Sequence, residues 1–161
     1  MNARQLLLFG GIALALLGMS YGLWYAVFAE HQALDGIGMS LTSGFQAAAQ
    51  RNPTGAENAL LQYRQAKYNY DRQVDVHGHW LGLSMLLIVL AIAADQISIA
   101  EKWKFLLALG LFLGSVLFPF GVLMQTWGHG TLPRAVAIGG SAMVIASLAG
   151  MAFGFLRRQA A

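Results

Sequence analysis

Four histidines, His31, His77, His79 and His129, are the side chains best able to do chemistry in a chain of 161 residues without a cysteine. Neutral imidazole is the commonest protein ligand for haem iron, copper and zinc. The missing cysteine excludes thiolate–zinc sites, c-type haem attachment, cysteine-held iron–sulfur clusters and disulfides. Histidine, carboxylate and methionine remain as ligands. Glu30 and Asp75 lie close in sequence to histidines, where they can ligate a metal or orient a ring nitrogen. Asp35 reads as a solvated loop acid. Met39, Met85 and Met124 are soft donors suited to Cu(I), although methionine in apolar helices is usually filler.

The elements that must position these rings are apolar helices. Hydrophobic residues make up 57% of the chain and charged ones 11%, too apolar for a soluble domain of this size. Uncharged runs of membrane-spanning length fall at about 6–29, 77–94, 105–127 and 135–156. The expected fold is all-α: an antiparallel four-transmembrane-helix bundle forming one membrane domain, with a loop or helical segment over 30–76 outside the bilayer. His31 follows the first span, His77 and His79 open the second, and His129 follows the third. Alternating chain direction puts all four beside one interface. That convergence points to a haem or metal site there.

His77 and His79 are two apart, so on a helix they point to nearly opposite sides. They cannot easily chelate one ion, and the pattern favours axial ligands from different helices, one ring facing the bundle and the other a neighbouring subunit or water. Gly78, Gly82, Gly121, Gly128 and Gly130 are candidates for lining a haem groove. Gly10, Gly11, Gly18 and Gly22 in the first span allow close helix approach.

Local signals set the expected boundaries. Thr54 and Glu57 form a capping-box pattern ahead of one proline-free helix from Ala56 to Ala94, continuous into the second span. A short surface helix is expected within 36–50. Ser98 and Glu101 form a second capping-box pattern at the start of the third span. Pro119 should kink that span about two turns before its outer end. Pro133 suits the first turn of the fourth. Tyr63, Tyr68 and Tyr70 are expected at the interface or against a partner subunit. Met1–Gln5 with the first apolar run could form a secretory signal cleaved after Val27-Phe28-Ala29. The run is about twice the usual signal core, so an uncleaved span is expected. Lysine and arginine tie between the two sides. Most of those on the histidine side lie in the long loop, which carries less weight, so both termini are expected in the cytoplasm of a bacterial inner or cell membrane. The net charge of +3 is spread out and gives no nucleic-acid signal.

The segment His77-Gly78-His79-Trp80-Leu81-Gly82-Leu83-Ser84-Met85-Leu86-Leu87-Ile88 resembles the second span of styrene oxide isomerases. Those are small four-span membrane proteins that hold b-type haem through histidines and assemble as trimers. The resemblance implies haem b, a homo-oligomer and a small apolar substrate or redox partner. Its second span has an asparagine where this chain has Leu83 and Ser84. Its third span has a catalytic aspartate and tyrosine where this chain has Ser115 and Leu123. Haem binding therefore carries over more readily than epoxide isomerisation. The layout is also similar to half of a haem A synthase, without that family's Glu-x-x-His-Arg pattern.

Three functions stay open at the level of sequence. The first is a membrane haem b protein with a bis-histidine site drawn from His77, His79, His129 and His31. With both axial positions filled, haem transfers electrons; with one open, ferric iron can act as a Lewis acid toward a substrate oxygen. The second is a copper or zinc site built from three of those histidines with Glu30 or Asp75. The third is a structural accessory subunit in a lipid bilayer, without cofactor. No charged residue lies at mid-membrane depth to mark an ion path.

Overall fold

In the computed structural model, which describes residues 2–128 and 130–159, the chain forms five α-helices. α1 spans Ala3–Phe28, α2 Glu30–Ala49, α3 Pro53–Ala93, α4 Glu101–Met124 and α5 Thr131–Gln159. A 3-10 turn over Ala94–Gln96 follows α3. α1, α3, α4 and α5 are each long and apolar enough to cross a membrane. The all-α polytopic bundle read from the sequence is thus what the chain builds.

The helices associate as two close pairs, α1 with α3 and α4 with α5, which meet along α3, α4 and α1. Leu7, Leu14, Trp80, Leu87, Leu111 and Met151 are among the side chains buried between them. Lipid tails are as apolar as leucine, so close backbone approach rather than hydrophobic contrast holds such pairs. Small residues provide it. Ala137, Gly140, Val144, Ser147, Met151 and Gly154 recur in steps of three and four as the buried line of α5. Gly114 of α4 lies against the Gly140 carbonyl, and Gly140 lies against the backbone of Phe118.

α1 and α3 run antiparallel in one register. Gly11 meets Ser84 and Ile88, Gly18 meets Trp80 and Leu81, and Gly22 meets His77. Backbone hydrogen bonds bridge the α1–α2 junction, from Ala29 N to the Tyr25 carbonyl and from Ala33 N to the Ala29 carbonyl. α2 then continues along the same partner, with Gly44 on Ala59 and Ala47 on Gly55. At 1.5 Å per residue α3 is about 61 Å long, twice the roughly 30 Å hydrocarbon thickness of a bilayer. Its charged first half pairs with α2 as a helical hairpin, a length of helix beyond what one crossing requires.

Several boundaries differ from the sequence reading. The 30–76 segment is helical apart from a tight turn, and α2 begins at Glu30 rather than near residue 36. The cap of α3 is Asn52, whose side chain accepts from Gly55 N at 3.0 Å with Pro53 following, so the Thr54–Glu57 box is not used. The Ser98–Glu101 box is not used either. α4 starts after Ala100 without a side-chain cap, and Glu101 instead accepts from Ala3 N at 3.3 Å. A carboxylate at the α1 N-terminus suits the positive end of that helix dipole. α4 ends at Met124, short of residue 127, and continues through buried Pro119 as one helix.

Candidate functional site

The most developed polar constellation lies on the α1–α3 seam, at the end of the apolar spans away from the two termini. His77 comes from α3, and its imidazole packs directly on Gly22 of α1, where a Cβ would overlap the ring. Its Nδ1 is 2.9 Å from the Gly18 carbonyl oxygen. A carbonyl can only accept, so Nδ1 carries the hydrogen and donates. In the neutral ring the lone pair then belongs to Nε2, the arrangement by which metal-ligating histidines are commonly oriented.

The same seam carries further polar groups at helical spacing. The Tyr21 hydroxyl donates to Gln73 Oε1. The Tyr21 ring meets Trp80 edge-on at 5.3 Å, and Tyr25 lies 6.4 Å from Tyr70. Tyr25 Oη and Trp80 Nε1 are buried without a hydrogen-bond partner among the described residues. An unmet buried donor costs about 1–3 kcal/mol. The two lie on the same seam as His77, Tyr25 against Tyr70 on one side of it and Trp80 against Tyr21 on the other. This part of the site was not legible as such: Gly18 and Gly22 read as plain packing glycines, and Tyr21 and Tyr25 as interfacial aromatics. The available signal was their shared spacing of four on α1.

The other candidates lie elsewhere. His79 turns to α4, with its ring 4.7 Å from Phe118. His77 and His79 do face opposite ways, His77 toward α1 and His79 toward α4, and both are half-buried. His31 is exposed in the first turn of α2. It stands nine residues beyond Gly22, roughly 13 Å farther from the membrane centre at helical rise. Asp75 is exposed and paired with Arg72 at 3.5 Å. Glu30 is half-buried in the first turn of α2. His129 lies outside the described residues. Among the described residues, no three His, Asp or Glu side chains lie where one ion could be held by all of them.

The glycines divide sharply. A Cβ on Gly78, Gly82 or Gly128 would meet nothing within 4 Å, and one on Gly130 only Pro133 at 3.9 Å. Gly121 is occupied by close contact with Ala137 of α5, so it serves helix pairing and is not groove-lining.

No protein-family model, curated protein or solved structure matches this chain.

Proposed function

We propose that the chain is an integral membrane haem b protein in which His77 ligates iron through Nε2. The observation that carries this reading is the Nδ1 hydrogen bond to the Gly18 carbonyl, which leaves Nε2 as the free acceptor of a held ring. Tyr25 Oη and Trp80 Nε1 support it as unpaired buried donors on the same helix seam, a type of group that a carboxylate would satisfy. Haem held there would supply electron transfer or Lewis acidity. The chain's own part is to fix the tautomer and angle of His77 and to exclude water with Tyr21 and Trp80. His79, on the far side of α3, cannot share an iron with His77. A bis-histidine site would thus draw its second ring from another place, with His129 the remaining candidate in this chain.

The test is a visible spectrum of the detergent-purified protein with a pyridine haemochrome assay. A Soret band that His77→Ala abolishes and His79→Ala and His31→Ala retain is the expected result. A low-spin ferric spectrum that becomes high-spin in His129→Ala would assign the second ligand. A colourless protein after expression with added haem would overturn the reading, and elemental analysis would then decide the copper or zinc alternative. We further propose that both termini face the cytoplasm. A C-terminal alkaline phosphatase fusion should then be inactive, and one at Arg51 active.

A further inference from the structure

The α2–α3 hairpin has two unlike flanks. At 100° per residue, Leu41, Phe45 and Ala48 of α2 fall on the same side of the hairpin as Leu60 and Tyr63 of α3. With Gly44 as floor they line a groove of about 280 Å³. Phe45 is 74% exposed there, and Leu41 and Leu60 are exposed as well. The opposite flank presents Ser43, Gln46, Asn58, Gln62 and Gln65, with Met39 and Leu61 as apolar exceptions. A hairpin in water that is apolar on one flank and polar on the other is built to be covered on the first.

We propose that the apolar flank is a two-fold interface between two copies of this chain, which pairs their hairpins into a four-helix bundle outside the membrane. Three arguments select a second copy. Every copy enters the bilayer in the same sense, so a symmetry axis along the membrane normal sets like heights opposite each other, as a self-complementary patch requires. The flank also continues down α3 into the bilayer. Gly78, Gly82, Met85 and Val89 lie below Leu60 on the same side, all exposed, and the two glycines are open to close approach. A soluble partner could not follow that stripe, whereas a second copy meets it automatically. Between the two zones the flank carries exposed Arg64, and Lys67 and Asp71 bonded to each other at 2.8 Å, so one positive charge per copy must lie at the rim of the contact. Finally, a hairpin about 30 Å long and two helices wide offers roughly 600 Å² per copy, or about 1,200 Å² in total, the lower end for a stable interface.

The absence of cysteine makes the test direct. Light scattering of the full chain in nanodiscs should give a protein mass twice the 17.3 kDa of one chain. In oxidised native membranes, Phe45→Cys should form a disulfide-linked homodimer and Gln46→Cys should not. Leu60→Lys should lower the dimer fraction at least tenfold with unchanged helical circular dichroism, and Gln62→Lys should leave it intact. A monomer or trimer mass, equal cross-linking at the two cysteine positions, or cross-linking of Phe45→Cys to a different protein would each overturn the proposal. None of these readouts depends on haem.

Discussion

Two glycines determine how His77 is held. Gly18 offers the carbonyl that takes the Nδ1 hydrogen, and Gly22 offers the flat surface on which the ring rests. Gly22→Val should force the ring away and separate α1 from α3, at a cost of about 1–3 kcal/mol from overpacking. A lowered thermal midpoint in detergent would register it. Gly139→Ala, where a Cβ meets nothing within 4 Å, should leave that midpoint unchanged or slightly raised. His77→Ala removes one hydrogen bond with a net contribution of about 0.5–1.5 kcal/mol, so the bundle should stay folded and monodisperse by size-exclusion chromatography. That outcome matters, because it lets loss of haem be read as loss of a ligand. The sequence showed that His77 and His79 face apart, since helical geometry alone dictates it. Which helix each would meet was not legible. Apolar helices carry little information about their partners, and the register of Gly22 on His77 emerges only from packing. Gly121 illustrates the same limit: nothing in its neighbours distinguishes a groove glycine from one pressed on Ala137.

At the scale of elements, the hairpin depends on a three-residue turn, Gln50, Arg51 and Asn52. Arg51 adopts φ 52°, the left-handed region that favours glycine, and Asn52 then caps α3. Asn52→Ala should destabilise the start of α3 by about 1 kcal/mol. Hydrogen exchange over residues 53–60 should accelerate while the membrane segment of α3 stays protected. Arg51→Gly should act in the opposite direction, by up to about 1 kcal/mol, because glycine adopts that conformation without the Cβ penalty. The long continuous α3 was readable from its lack of proline after Pro53 and its good helix formers. Its cap was not. Asn52 with Pro53 at the first helical position competes with Thr54 for the same role, and proline's fixed φ decides in favour of the earlier start. At the start of α4 the Ser98 backbone N–H is engaged by the Gly154 carbonyl of α5 at 3.0 Å, a tertiary contact that no local pattern announces.

Across the whole molecule, α4 and α5 form a shorter pair, while α1–α2 and α3 form a much longer one. Trypsin added to the side that exposes the hairpin should cut first after Arg51, at its tip. The two fragments should remain associated and helical, as gel electrophoresis beside circular dichroism would report. First cleavage within residues 53–75 would mean that this part of α3 is not a stable helix. The division into four spans was legible because composition alone separates them. The assignment of the middle segment was harder, since its mixture of alanine, glycine and glutamine fits a loop, a surface helix or a stalk equally well.

The two sides of that long pair are mechanically unequal. α3 has no break between its tip and the inner interface, whereas its companion changes element at Ala29, just above the seam. Anything that pushed or pulled on the tip would therefore move a stiff rod past a jointed one. The displacement would fall on the first fixed contacts below the joint, Tyr25 with Tyr70, Tyr21 with Gln73, and Gly22 with His77. A displacement of the tip would thus reach the His77 imidazole before any other ring below the tyrosines.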